Sequence, residues 1–171
     1  MKYIVAFTGV VGSSKTPIAN YLSGVFGLPS FNADAVRSEV IEDKLSYDIP
    51  EVEKRFVERL TSLIKKGESF ILDASIDRKF SEYKHKLDES GYELFLINLD
   101  LSREFLVKLY EAKGYDESLK RLDQLLIDHK KFLEEFGDLV NIRVDDNAFP
   151  GRLVIVEEAL RSWLATFSKE V

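Results

Sequence analysis

The chain opens on Tyr3-Ile-Val-Ala-Phe-Thr8, a nearly unbroken apolar run closed by Gly9, and this pattern predicts a strand buried on both faces. Ile18, Leu22, Val25 and Phe26 then recur at helical spacing. Ser30 to Asn32, introduced by Pro29, reads as a short extended segment. Val36 to Asp43 and Glu51 to Lys66 read as helices. The second carries Val52, Phe56, Leu60, Leu63 and Ile64 on one face, with Pro50 where a first turn tolerates it. Phe70-Ile-Leu72 predicts a strand ending at Asp73, followed by a helix from Asp77 to Ser90 and a strand from Glu93 to Leu99. Helices over Arg103 to Lys113 and Glu117 to Phe136, a strand from Asn141 to Val144 and a helix from Leu153 to Phe167 complete the pattern. Gly27, Gly67, Gly91, Gly114 and Gly137 each follow a helical stretch, the place for a left-handed residue that ends it.

Strands alternating with helices of this length imply a parallel sheet covered on both faces, with ligands bound beyond the carboxyl ends of the strands. Those ends hold Gly9 to Thr16, Asp34, Asp73 and the stretch after Leu99. A length of 171 residues without internal repeat or low-complexity linker predicts one domain. With 45% hydrophobic and 32% charged residues, the composition excludes a disordered chain. Lys and Arg number 24 against 30 Asp and Glu, a net charge of −6 that argues against extended binding to nucleic-acid backbone but leaves room for a local basic pocket. The lack of cysteine excludes disulfides and thiolate metal sites and fits a cytoplasmic location. No apolar stretch reaches the ~18 residues of a membrane span. Ile4 to Val11 lacks the flanks of a signal core and reads as a buried strand.

The strongest chemical signal is Gly9-Val-Val-Gly-Ser-Ser-Lys15-Thr16, set between a predicted strand and a predicted helix as a phosphate-binding loop requires. Gly9, Val11, Gly12, Ser13, Ser14, Lys15 and Thr16 are the expected cradle, because loop amides and a helix N-terminus together favour a polyanion. Lys15 is expected to bridge the outer phosphates and the Thr16 hydroxyl to ligate magnesium. The first 33 residues hold Lys2 and Lys15 and no acidic residue, which suits a polyanion. Ser14 stands where the pattern has glycine; a serine is accommodated there if its φ is negative. The competing reading is a Gly/Ser turn that only links strand to helix.

The loop, Asp34-Ala-Val-Arg37 after the second strand and Leu72-Asp73-Ala-Ser75 at the end of the third together resemble the small P-loop kinases. Within these, the pattern is similar to the kinase group related to the polynucleotide 5′-kinase domain, gluconate kinase and the zeta toxins. The likeness in motif order covers most of the chain, up to the region after Lys113. It implies a three-layer α/β/α P-loop NTPase fold of nucleoside-monophosphate-kinase type, with a five-stranded parallel sheet and a lid at about residues 108–125. It further implies ATP and Mg2+ as cofactors, a hydroxyl-bearing small molecule or nucleotide end as acceptor, and Asp34 as the acceptor-side base. Arg37, one turn along, pairs with Asp34 or grips an anionic acceptor; the alternative is Asp34 as a helix N-cap with Arg37 as a surface charge. Asp73 ends an apolar strand, where a carboxylate needs a partner. Magnesium held through water beside Thr16 is one such partner, and a structural turn is the alternative.

Lys108, Lys113, Lys120 and Arg121 flank Gly114 in the lid region, where related kinases tend to carry arginines. Lys113 and Arg121 are the candidates for offsetting phosphate charge, against the alternative of solvated helix faces. By fold analogy the loop Asp145 to Arg152 borders the nucleotide base, with Phe149 or Arg152 packing on it, or it is a plain turn. His129, between Leu126 and Leu133, reads as packed and His85 as solvated, so a zinc site is not expected; Trp163 reads as core. Two further functions stay open. A nucleotide-binding regulator with little catalysis is motivated by Ser14 and the lysine-rich lid. A regulatory GTPase needs an Asn-Lys-x-Asp segment, and Asn98-Leu-Asp100-Leu is not one.

Overall fold

The first apolar run forms β1 (Tyr3–Thr8), the central strand of a five-stranded parallel sheet. The computed structural model describes residues 1–168. The elements that follow are α1 (Lys15–Phe26), β2 (Ser30–Asn32), α2 (Ala33–Lys44), α3 (Ile49–Lys66), β3 (Phe70–Asp73), α4 (Phe80–Glu89), β4 (Glu93–Leu99), α5 (Arg103–Lys113), α6 (Asp116–Lys120), α7 (Leu122–Phe136), β5 (Ile142–Val144) and α8 (Arg152–Phe167). The strands lie in the order β2-β3-β1-β4-β5, so β1 is flanked by β3 and β4. The chain crosses outward from β1 to β2, returns to β3 and then passes over β1 to β4. A crevice at the carboxyl end of β1 is the consequence, and the phosphate loop leaves the strand into it.

Alternation along β1 feeds two apolar layers. Ile4 and Ala6 join Phe56 and Leu60 of α3, Phe80 and Leu87 of α4 and Phe132 of α7. Val5 and Phe7 face the other way, onto Ile18 and Leu22 of α1 and Val156 and Leu160 of α8, with Trp163 packed against that layer. Each fully buried side chain of this kind contributes roughly 1.5–3 kcal/mol. A third cluster, Val10, Leu101, Leu106, Tyr110, Leu122 and Leu125, ties α5 and α7 to the loop after β1. The three-layer α/β/α arrangement is the one that the motif order implies.

Several boundaries differ from the sequence expectation for local reasons. α2 starts directly after β2 because the Asn32 side chain accepts from the Ala35 amide at 2.9 Å, so Asn32, not Asp34, is the N-cap. Asp48 caps α3 in the same way, accepting from the Glu51 amide at 3.0 Å. The segment Asp77–Lys79 is a 3-10 turn rather than the start of the next helix. The long helix expected from Glu117 to Phe136 is broken at Arg121 into α6 and α7. Gly27, Gly67, Gly91 and Gly114 are left-handed, whereas Gly137 has a φ of −58° and continues into a 3-10 turn.

Candidate active site at the phosphate loop

The loop from Gly9 to Ser14 turns on three residues with positive φ: Gly9 at 122°, Gly12 at 77° and Ser14 at 85°. A Cβ on Gly9 would sit 2.8 Å from the Leu99 carbonyl oxygen, and one on Gly12 would meet the Tyr110 and Tyr115 rings at 3.0 Å. Glycine is therefore required at both positions. Ser14 corrects the expectation of a negative φ: it adopts the left-handed conformation for which glycine is favoured, and does so buried, as the residue preceding α1. Its Oγ accepts from Arg152 Nε at 2.9 Å, which ties the start of α8 to the loop.

Lys15 is folded into the loop. Its Nζ donates to the carbonyls of Gly9 at 2.8 Å and Val10 at 2.7 Å. Burial pulls its pKa down to about 8, and among the charges Asp77 does most to hold it up, followed by Asp73 and Asp34, against Lys113.

Asp73, at the end of β3, is buried and accepts from Asn32 Nδ2 at 2.5 Å. Burial raises its pKa, while the Thr16 hydroxyl and the Asn32 amide pull it back down. A hydroxyl and a carboxylate side by side are hard oxygen donors of the type that magnesium takes together with water and phosphate oxygens. Asp34 and Arg37 pair at 3.3 Å on the exposed side of α2, the Asp34 side chain 75% exposed. Asp34 is near enough to act electrostatically on both Lys15 and Asp73. The Arg37 guanidinium also lies over the Tyr47 ring at 5.9 Å.

On the other side, Lys113 Nζ donates to the Gly12 carbonyl at 2.7 Å, and the Tyr110 hydroxyl donates to the Val11 carbonyl. Burial pushes Tyr110 up to about 12, so it stays a donor. The Arg152 guanidinium stacks on Phe149 at 4.2 Å, and Phe149 in turn packs against Phe105 with ring centroids 4.8 Å apart. Lys113 and Arg152 thus flank the loop, each with its pKa lowered by burial. Arg121 does not join them; it is exposed at the α6–α7 break with no side-chain hydrogen bond or ion pair among the described residues. Lys108 and Lys120 pair with Glu104 and Glu117 on solvated faces. His85 is exposed as expected and pairs with Glu89.

Three residues to which the sequence pattern gave no role of their own belong to the site. Asp77 accepts from the Gly9 amide at 3.2 and 3.3 Å, and Ser75 Oγ donates to the Gly9 carbonyl at 3.2 Å. Tyr110 is the third. His129 is packed, as its spacing suggested, but its Nδ1 also lies 2.9 Å from the Asp77 carboxylate. A carboxylate near the end of β3 is a visible signal; its partner 52 positions along is not.

No family model matches the chain, and no curated protein matches it in sequence. Solved structures do match its fold. A gluconokinase from Sinorhizobium meliloti is 18% identical, with 99% of this chain and 98% of that one covered at a TM-score of 0.62. An unliganded sugar kinase from a Janibacter species is 24% identical over 96% of this chain and 95% of its own, at 0.60. The APS kinase of Mycobacterium tuberculosis, in complex with AMPPNP and APS, is 17% identical over 68% of this chain and 72% of its own, at 0.51. With a parallel sheet in the order 2-3-1-4-5 and a Gly-to-Lys-Thr loop at the end of its central strand, the chain has the fold of the P-loop kinases.

Proposed function

We propose that the protein is an ATP-dependent kinase that phosphorylates a hydroxyl of a small molecule or nucleotide end. The observation that carries this reading is the convergence of buried Lys15, the Thr16–Asp73 pair and exposed Asp34 on one loop at the carboxyl edge of β1 and β3. In this reading Lys15 leaves the Gly9 and Val10 carbonyls for the outer phosphates, and the amides at the start of α1 hold the polyphosphate. Thr16 and Asp73 are the residues that would hold Mg2+, which supplies charge neutralisation at the phosphates. The acceptor oxygen bonds to the γ-phosphorus as the bond to the bridging oxygen breaks, ADP leaves with that electron pair, and Asp34 takes the hydroxyl proton. Arg37 orients Asp34 or an anionic acceptor. Lys113 and Arg152, with Arg121 if α6 closes, offset charge on the nucleotide, and Phe149 borders the base. The kinase neighbours support the class of reaction.

The test is a thermal-shift titration with magnesium ATP. Ligand at ~100 times its dissociation constant adds about 2.7 kcal/mol. For a chain of this size that raises the melting temperature by roughly 5–10 °C. Lys15→Ala should abolish the shift, and Asp34→Asn should keep it while eliminating transfer to a hydroxyl. The left-handed Ser14 favours a second reading, a nucleotide-binding regulator with little catalysis. That reading predicts the shift without turnover, and robust turnover removes it.

A further inference from the structure

Beneath the phosphate loop runs a chain of buried polar side chains contributed by four elements. Asp77, after β3, holds the Gly9 amide with both carboxylate oxygens. His129 of α7 meets Asp77 Oδ2 through Nδ1 at 2.9 Å, with side-chain exposures of only 6% and 10%. On its other edge His129 Nε2 lies 3.2 Å from Asn98 Nδ2 of β4. The same Asn98 amide donates to Thr8 Oγ1 of β1 at 2.7 Å. Ring orientation follows from the carboxylate. Asp77 Oδ2 can only accept, so Nδ1 carries the hydrogen that it donates to Asp77, and Nε2 is left to accept from the Asn98 amide.

We propose that Asp77 is a positioning residue of the phosphate loop and that His129 fixes it. The proposal rests on the kinase reading and adds a part to it. Gly9 is held from both sides, its amide by Asp77 and its carbonyl by Lys15 and Ser75. Moving Asp77 therefore moves the residue on whose carbonyl Lys15 is seated. One feature speaks against a plain packing role. A carboxylate beside a polyanion site opposes the ligand electrostatically, and a neutral acceptor would satisfy the Gly9 amide equally well. Through His129 the position of α7, the helix that follows the lid region, is connected to the first residue of the loop.

The experiment uses the full chain and two substitutions at one position. The Asn amide nitrogen is as many bonds from Cα as Nδ1, and the Gln amide nitrogen as many as Nε2. His129→Asn thus keeps a donor to Asp77, and His129→Gln loses it. With magnesium ATP as ligand and water as phosphoryl acceptor, His129→Gln and Asp77→Asn should lower kcat by about 10- to 100-fold while the ATP dissociation constant moves by less than about threefold. His129→Asn should recover most of the rate. Ring 15N shifts of the nucleotide-free native protein should show the Nδ1–H tautomer. A hydrogen on Nε2 overturns the proposal whatever the protein binds. Equal loss in the Asn and Gln variants, or a normal rate in His129→Gln, overturns it while sparing the kinase reading. A native chain that neither binds nor hydrolyses ATP overturns the kinase reading and the positioning role with it, and an intact Nδ1–H signal in that protein would separate this outcome from a misplaced pair.

Discussion

Ser14→Gly tests the physical reading of the loop most directly, because it removes two opposing contributions at once. A non-glycine residue in the left-handed conformation costs roughly 1–2 kcal/mol, which glycine recovers. Glycine's greater freedom in the unfolded chain returns about 0.4–1 kcal/mol of that gain. The substitution also deletes the 2.9 Å bond from Arg152 Nε to Ser14 Oγ. Arg152 is only partly buried, so this bond is taken as about 1 kcal/mol, below the range for buried charged donors. The net change is then within about 1 kcal/mol of zero. In an Arg152→Ala background the bond is already gone, and Ser14→Gly should there stabilise by up to about 1.5 kcal/mol, a rise of no more than roughly 3–6 °C. Urea melts of the native chain, both single variants and the double variant give a coupling energy near the worth of the bond, about 1 kcal/mol. Equal effects in both backgrounds would show that Arg152 contributes nothing at Ser14. Destabilisation in the Arg152→Ala background would show that Ser14 is not left-handed in solution.

Three further outcomes follow from the site. Lys15 is held at about 8 by burial, whereas an unfolded lysine titrates near ~10.4. Between those values the unfolded chain binds the proton more tightly, so this group's contribution to stability rises with pH. ATP affinity has the opposite sign: the polyphosphate takes the protonated amine, so affinity is flat below about pH 8 and falls about tenfold per unit above it. Calorimetry across that range reads this directly, and a pH-independent affinity would mean that Lys15 does not contact the phosphates. Gly12→Ala places a Cβ 3.0 Å from two tyrosine rings at a φ of 77°. It should destabilise by about 1–3 kcal/mol, and an unchanged urea midpoint would show that Tyr110 and Tyr115 do not sit on the loop.

The loop was legible because it is local, an apolar run, a turn of fixed residue types and a helix in direct succession; the sheet pairs strands as distant as Tyr3 and Glu93, and was legible only because strands alternating with helices leave a parallel sheet as the arrangement. Asp73 was legible locally too, as a carboxylate at a strand end. The Asn32 cap was missed because Asn and Asp are near-equivalent caps, and only the abrupt start of α2 after β2 decides between Asn32 and Asp34. Gly137 looks like the other helix-ending glycines but is not left-handed; the chain there turns through Gly137–Leu139 instead. Ser14 was read the wrong way: the glycine of the pattern at that position marks a left-handed residue, and the serine adopts that conformation instead of escaping to a negative φ. Asp77 and His129 lay beyond pattern reading because their pairing spans 52 positions and depends on how α7 crosses the turn after β3. Arg121 was placed in a continuous helix, and the break there leaves it facing solvent.

The uneven lengths of the strands bear on how the protein behaves at high concentration. β1 and β4 have six and seven residues and lie inside the sheet, while β2 and β5, which form its two borders, have three each. A border that short offers a neighbouring molecule few free backbone groups for edge-to-edge pairing, which is a recognised protection against aggregation. Insertions that lengthen β2 or β5 would remove this protection before they disturbed the fold, and solubility should fail ahead of stability.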